Sequence, residues 1–524
     1  MTQINTTLSR NNLADFLEGF LQKYAEKPAY SCLGQTLSFA EIDAKSKALA
    51  CFLQQQENLN QGDRIVIQLP NLSQYPIAAY AALRAGLVVV NTNPLYTPRE
   101  MQHQFSDSGA KAIIILEDLL PNLEKIKGDT ALELVISTGA ADLLSDSPTP
   151  APEGCHSFSQ ILNDFDQAKL QARKDIGPDD LCMLQYTGGT TGVSKGACLS
   201  HRNVISNAKQ CLDRLATGCR EGQEIFVCPL PLYHIYAFTV NMIMFASKGN
   251  LNVLIPNPRD LNAFINAIKP FEFTGISGIN TLFVGLCMQE EFKALDFSAL
   301  RLTVSGGTAL TSNASEIWKD VTGCSISEGY GLSETSPVLC LNEPGNEEIG
   351  TVGTPLSDTE IQLWNDDDQP VSEGRGQIVA KGPQVMSGYW NMPNETAKAL
   401  TEDGFFKTGD MGEWTDDGKL KIVDRLKDMI IVSGFNVYPN EVEEVLTSFP
   451  QILEAAVIGE ADDISGEKVC AYVVLKNEAT EKEIIEHCRK VLTAYKVPKK
   501  VVVLEELPKS TVGKILRREL RPAS

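Results

Sequence analysis

The sequence predicts an α/β fold divided into several packed units, and three observations predict it. Strand and helix signals alternate from Arg64 to Leu116, as a parallel sheet with crossover helices requires. The 524 residues exceed what one core can bury and favour roughly three or four units. From Gly345 to Ala380, glycines, prolines and short β-rich runs replace the helices, and a different mixture begins near Asp424 to Asp428. The expected architecture is a large N-terminal region, residues 1–425, made of two α/β subdomains and a small β-barrel-like subdomain. A small α+β domain, residues 428–524, follows it.

In chain order, Leu13, Phe16, Leu17, Phe20, Leu21 and Tyr24 recur at helical spacing and open the chain with an amphipathic helix. Leu33-Gly34-Gln35 marks a hairpin, and Ser38-Phe39-Ala40-Glu41 forms a capping box for a helix to about Gln56. Arg64 to Leu69, Leu87 to Val90 and Ala112 to Leu116 are extended, and Pro76 to Ala85 and Arg99 to Ser108 are helical. Ser145 to Glu153, with its prolines, is a surface connection. After a glycine-rich loop the rhythm resumes with Phe226, helix Leu261 to Ile268, strand Leu302 to Val304 and the turn Ser305-Gly306-Gly307. The last unit reads as helix Asn440 to Ser448, strands Ala455 to Ile458 and Lys468 to Leu475, a Thr480-capped helix to Leu492 and strand Lys500 to Leu504.

Composition excludes several classes. A net charge of -21, from 46 basic and 67 acidic residues, repels nucleic acid and anionic lipid at long range, so a polyanionic ligand must be met by local basic groups. Thirteen cysteines without a C-x-x-C pair and five scattered histidines indicate neither a disulfide framework nor a zinc site, and imply a reducing compartment. Met1 to Arg10 lacks the pattern of a secretory signal. Ile225 to Ser247 carries no charged residue, but Pro229, Pro231, His234 and Asn241 interrupt it, favouring a buried strand, turn and core helix over a membrane span.

The loop Tyr186-Thr187-Gly188-Gly189-Thr190-Thr191-Gly192-Val193-Ser194-Lys195-Gly196 follows the apolar run Leu181 to Leu184. Glycines let backbone N–H groups converge, hydroxyls add donors or metal ligands, and Lys195 adds charge, which together make a candidate phosphate cradle. Neither Lys195 nor Lys514 completes the spacing G-x-x-x-x-G-K-[ST], so a P-loop is not indicated.

Five further motifs follow in order: Pro231-Leu232-Tyr233-His234, Glu328 to Thr335, Lys407-Thr408-Gly409-Asp410, Val423 to Asp428, and Pro508 to Lys514. With the cradle they resemble the adenylate-forming superfamily of acyl-CoA synthetases, luciferases and peptide-synthetase adenylation domains, over about residues 10 to 520. Val432 to Glu441 and Leu507 to Leu520 look most like bacterial long-chain fatty acyl-CoA ligases.

The resemblance implies an acid–thiol ligase that activates a fatty acid with ATP to acyl-AMP, releases pyrophosphate, and transfers the acyl group to CoA. Alternatives are a ligase for medium-chain or other carboxylic acids, or an enzyme that loads an acyl carrier protein. No covalent nucleophile is needed, so catalysis rests on positioning and charge neutralisation. By resemblance the nucleotide set is Tyr186, Thr187, Gly188, Gly189, Thr190, Thr191, Gly192, Lys195, Gly307, Glu328, Gly329, Tyr330, Gly331, Ser333, Asp410, Ile422 and Arg425. Thr187 and Glu334 would hold Mg²⁺, and Glu334, His234 and Lys514 are the catalytic candidates. Read alone, Tyr330 fits a core tyrosine as well as an adenine platform, and His234 a core imidazole as well as a contact for the acyl carboxylate.

The resemblance makes Lys514 the adenylation lysine of a mobile C-terminal domain, Lys427 its hinge, and Ser433, Gly434 and Phe435 the pantetheine path. Acyl walls would come from Tyr236 to Phe245, Gly278 to Phe283 and Val304 to Ala309. Arg517 and Arg518 read as a solvated basic tail. Gln377 stands where family members often carry Glu. The small-molecule partners are fatty acid, ATP and CoA, with no nucleic acid, in a cytoplasmic setting; a homodimer and a weak peripheral contact with the inner membrane face are compatible with the reading.

Overall fold

The structure, a computed structural model, describes residues 12–145, 147–171, 173, 175–187, 194–462, 464–510 and 513–521. Two large sheets form the N-terminal region, as the alternating pattern predicts. In the seven-stranded sheet, His156–Ser157, Leu134–Thr138, Ala112–Leu116, Arg64–Gln68, Val88–Asn91 and Leu181–Thr187 run parallel, and Lys195–Ser200 returns antiparallel at the edge. The cradle is thus the loop of a strand hairpin whose register pairs Thr187 with Lys195. Gly188 to Val193 lie outside the described residues.

The nine-stranded sheet carries Ile225–Cys228, Leu251–Leu254, Gly275–Gly278, Leu302–Ser305 and Ile326–Gly331 in parallel. It is completed at one side by the early hairpin Pro28–Cys32/Gln35–Ser38, whose first strand lies parallel to Leu251–Leu254. The helix after this hairpin, Phe39–Gln54, has the predicted Ser38/Glu41 capping box. A large apolar cluster runs through both layers. At its edge Arg84, fully buried, donates to Asp43 and to Ser46, which satisfies a charge that would otherwise be costly inside.

The uncharged stretch is interior. Strand Ile225–Cys228, the turn Ile235–Ala237 and a π-helical segment Phe238–Phe245 pack among buried residues, and Phe226 stacks on Phe245. Its polar groups are paired: Thr239 donates to the Ser336 carbonyl, and Asn241 bonds with Asn252 and Ser277. Among the described residues, no helix is long and apolar enough to cross a membrane.

The small β unit is a four-stranded antiparallel sheet, ordered Glu360–Trp364, Arg375–Lys381, Phe406–Trp414 and Leu420–Arg425, with two free ends rather than a closed barrel path among the described residues. It starts later and ends later than the segment Gly345 to Ala380, because Lys407 to Asp410 sit in a strand despite their weak β propensity. Gln377 lies inside this sheet, opposite Trp364 on one side and Met411 on the other.

Beyond Arg425 a separate apolar cluster, including Ile430, Val442, Leu446, Val457, Val473 and Ile484, gives the C-terminal residues a core of their own. Its helices Pro439–Thr447 and Glu481–Val491 fall where expected, the second with a Thr480/Glu483 capping box. An unpredicted hairpin, Ile430–Val432 and Phe435–Val437, precedes them. Ser433 at φ 50° and Gly434 at φ 83° form its two-residue turn, the pairing of positive φ angles that a twisted hairpin favours.

Candidate active site

The site is assembled where the nine-stranded sheet changes from parallel to antiparallel. Strand Ile326–Gly331 continues the parallel set, and Val338–Leu341 turns back beside it. The return is so close that a Cβ on Gly331 would lie 1.8 Å from the Pro337 carbonyl oxygen. Only glycine fits there. The tight return holds Ser333–Thr335 as one helical turn and buries Glu334.

Glu334 accepts a 2.8 Å hydrogen bond from the Tyr389 hydroxyl, and burial raises its pKa. No ammonium or guanidinium lies within ion-pair distance of it among the described residues. Lys195 sits over the Tyr389 ring at 5.0 Å and pairs with Glu395, whose pKa it holds down to about 2. Tyr389 therefore joins the predicted carboxylate to the predicted cradle lysine. Its segment runs along the cradle's return strand, with Trp390 N–H donating to Gly196 at 2.8 Å and Cys198 N–H to Gly388 at 2.9 Å. Tyr389 and Glu395 were missed in the sequence; the only signal was a Gly-Tyr-Trp run, 388–390, in a turn-rich segment.

Within the described residues, no group of three or more His, Cys, Asp or Glu could hold a metal. A lone buried carboxylate with an uncompensated charge suits instead a Mg²⁺ that brings phosphate oxygens and water as its remaining ligands. Thr187, at the end of its strand, makes a 3.5 Å contact with the Lys195 carbonyl, and Ser194 donates to the Thr187 carbonyl at 2.7 Å. Ser305 Oγ, Thr308 Oγ1 and Ser336 Oγ are buried without partners. They flank the Gly306-Gly307 turn and Glu334 in sequence, and unpaired hydroxyls there fit a ligand rich in oxygens. Gly307 itself has φ 84° with open space on its Cβ side.

A second group centres on Tyr330. Its hydroxyl donates to Asp410 at 2.7 Å, and Arg425 approaches the other oxygen of that carboxylate at 3.6 Å. Asp410 and Arg425 are directly paired across two strands of the β unit. Tyr330 and Ile422 are half-buried and pack against one apolar cluster, which places an aromatic and an aliphatic side chain on the same cluster. Glu328 is buried, accepts from Leu310 N–H at 3.0 Å, and has its pKa pushed up to about 8 by burial. Gly329 lets Leu341 and the Cys340 carbonyl approach closely. Ser333 opens the helical turn.

His234 caps the turn that follows it: its Nδ1 accepts from Tyr236 N–H at 3.3 Å. Burial, then the positive charge of Lys514, lowers its pKa to about 4. It is therefore neutral near pH 7, with the proton on Nε2 as a donor. Tyr236, beside it, donates to the Val304 carbonyl, and its ring meets Gly306, so the segments expected as acyl walls adjoin one another.

Lys514 comes from the far end of the sequence. Its pKa falls to about 7, chiefly through burial and then through Arg425, with Asp410 opposing. The loop reaches the N-terminal region because Gly513, at φ 75°, passes so close to Ile279 that a Cβ would lie 2.3 Å from Cδ1. Thr281 Oγ1 contacts the Gly513 carbonyl at 3.4 Å, and Arg259 donates to the Ser510 carbonyl at 3.3 Å. Lys514, His234, Asp410 and Arg425 thus share one electrostatic neighbourhood.

Other predicted residues lie elsewhere. Tyr186 is buried beneath the cradle hairpin, its hydroxyl bonded to Asp107 at 2.5 Å and its ring under Gly196, where it supports the strands. Ser433, Gly434 and Phe435 are exposed in the C-terminal hairpin, and Phe435 stacks on Tyr495 at 4.9 Å. Lys427 lies in the single turn Leu426–Asp428 between the two cores. Arg517 is not a solvated tail residue: it binds Asp424, Asn440 and Glu443. Its charge is drawn inward by two carboxylates and an amide oxygen that lie far from it in sequence.

The sequence matches the AMP-binding enzyme family over residues 17–390 and the AMP-binding enzyme C-terminal domain over residues 441–514. It is 44% identical to a long-chain-fatty-acid–CoA ligase of Yersinia pestis, covering 98% of this chain and 94% of that protein. It is 42% identical to the enzyme of the same name from Escherichia coli O157:H7, covering 99% and 96%. The crystal structure of the anthranilate CoA ligase AuaEII with anthranoyl-AMP superposes with a TM-score of 0.91 at 26% identity, covering 99% of this chain and 98% of that one.

Proposed function

The chain belongs to the AMP-binding enzyme family, and on that premise we propose that it is a long-chain fatty acid–CoA ligase. The observation that carries the reading is the placing of Lys514 in one electrostatic neighbourhood with His234, Asp410 and Arg425, which brings together a lysine from the C-terminal region, a neutral imidazole and a carboxylate. The substrate class is supported by the names of relatives that align with nearly the whole chain.

In the first step a fatty carboxylate attacks the α-phosphorus of ATP, the bond to pyrophosphate breaks, and acyl-AMP forms. Lys514 neutralises charge on the carboxylate and α-phosphate, His234 Nε2–H orients the carboxylate, Tyr330 and Ile422 flank adenine, and Asp410 accepts from the ribose hydroxyls. The cradle from Thr187 to Lys195 holds the β and γ phosphates. Glu334 and Thr187 would hold Mg²⁺, which would neutralise charge on phosphate oxygens. In the second step the CoA thiol attacks the acyl carbonyl, AMP leaves, and the thiol proton is released.

Residues 1–425 form the first body and 428–524 the second, which turns about Lys427 to bring Ser433, Gly434 and Phe435 to the thiol path. The reading carries a cytoplasmic location, a homodimer and weak peripheral contact with the inner membrane face as further expectations.

The test is AMP release over fatty acids of increasing length, with CoA or a phosphopantetheinylated carrier protein as acceptor. Long-chain acids with CoA should give the highest kcat/KM. No AMP release with any long-chain acid and CoA would overturn the proposal.

A further inference from the structure

Two cores meet at Lys427, and one carboxylate bridges them. Asp424 is the penultimate residue of the strand Leu420–Arg425 and is paired with Met411, so it belongs to the N-terminal body. Its side chain is almost wholly buried. One oxygen accepts from Asn440 N–H at 2.7 Å, near the start of the nine-residue helix Pro439–Thr447. The other accepts from Arg517 Nη1 at 3.1 Å. Both donors belong to the C-terminal body.

Arg517 is itself fixed within that body. Nε and Nη2 donate to the two oxygens of Glu443 at 2.9 and 2.7 Å, Nη2 also donates to Asn440 Oδ1 at 2.5 Å, and Asp428 lies 3.6 Å from Nη1. Glu443 in turn accepts from Val457 N–H at 2.8 Å, tying the guanidinium to the long edge strand Ile452–Asp462 of the C-terminal sheet. Arg521 approaches the other oxygen of Asp428 at 3.5 Å. The guanidinium thus presents its fork in a fixed direction, with Nη1 aimed across the hinge.

Two short sequence distances give this contact its meaning. Arg517 lies three residues after Lys514, and Asp424 immediately precedes Arg425, which pairs with Asp410. We propose that Asp424 and Arg517 form a clasp that sets the adenylating position of Lys514 relative to the ribose-side pair Asp410 and Arg425, and that opens when the C-terminal body turns for thioester formation. The proposal rests on the ligase reading. Asp424 and Arg517 are positioning residues, for they act through Lys514 and the docked body rather than on substrate. Displacement of a reacting group by about 1 Å can cost about a hundredfold in rate, so a loosened clasp acts on the adenylation rate more than on substrate binding.

The test uses the full-length protein and two single-turnover assays: acyl-AMP formation from ATP and a saturated long-chain fatty acid without CoA, and acyl-CoA formation from preformed acyl-AMP. Asp424→Asn keeps an oxygen for Asn440 N–H but presents an amide to Arg517. It should slow acyl-AMP formation about tenfold or more with KM for ATP within about twofold, and leave the second assay within about twofold. Arg517→Lys, which keeps the charge and loses the fork, should slow the first assay alone and by less; it applies the same criteria should Asp424→Asn fail to fold. Acyl-AMP formation within twofold of wild type, or equal loss in both assays, would overturn the clasp. Wild-type protein that forms no acyl-AMP would overturn the ligase reading, and the clasp with it.

Discussion

Replacing Lys514 by arginine tests whether the docked pose belongs to the enzyme before substrates arrive. In this pose the lysine pKa is about 7 instead of 10.5, because burial and Arg425 penalise the ammonium more than Asp410 favours it. The lowered value means that docking favours the neutral amine, so the charged form is progressively lost as pH rises through 7. With a pKa of 7, about half of the free enzyme carries the ammonium at pH 7 and about one-hundredth at pH 9. If adenylation requires the ammonium, kcat/KM for acyl-AMP formation should fall about fiftyfold over that range, since this ratio reports groups of the free enzyme. Arginine stays protonated, so Lys514→Arg should be slower at pH 7 but flat to pH 9. The assay is pyrophosphate release without CoA at constant ionic strength, with ATP and the fatty acid varied in turn. A wild-type profile flat to pH 9, or a falling limb that persists in Lys514→Arg, would refute the reasoning.

Two further predictions concern the carboxylate and the hinge. Glu334→Gln removes the buried charge that Tyr389 supports and should lower Mg²⁺-dependent adenylation by about a hundredfold or more, by analogy with loss of one transition-state stabilising group; an unchanged dependence of rate on Mg²⁺ concentration would remove Glu334 from that role. Lys427→Pro fixes φ near -65° in the Leu426–Asp428 turn, so paired single-turnover assays should show acyl-AMP formation retained and transfer to CoA slowed, whereas equal loss in both, with the protein folded, would count against rotation at Lys427.

Much of the fold was legible because local chemistry agreed with the final packing. The Ser38/Glu41 and Thr480/Glu483 capping boxes, the helix Leu261–Ile268 and the strands Ala112–Leu116 and Lys500–Leu504 fall where their patterns put them. These signals are carried by residues within one turn or one strand of each other, so no distant partner is needed to read them. The glycine-rich cradle and the aromatic and acidic motifs marked site segments for the same reason: their unusual composition is local.

Tertiary structure alone decided which of these segments meet. Lys514 and His234 share a neighbourhood although one comes from near the end of the sequence and the other from its middle, and the close passage of Gly513 over Ile279 is what joins them. Tyr389 and Glu395 gained their contacts with Glu334 and Lys195 only when their segment lay along the cradle hairpin. Arg517 looks like a solvated charge in sequence because Asp424, Asn440 and Glu443 lie 74 to 93 positions away. Propensity, capping and periodicity act over a few residues, whereas burial, ion pairing and pKa shifts arise from distances through space, and those exist only once the chain has closed on itself.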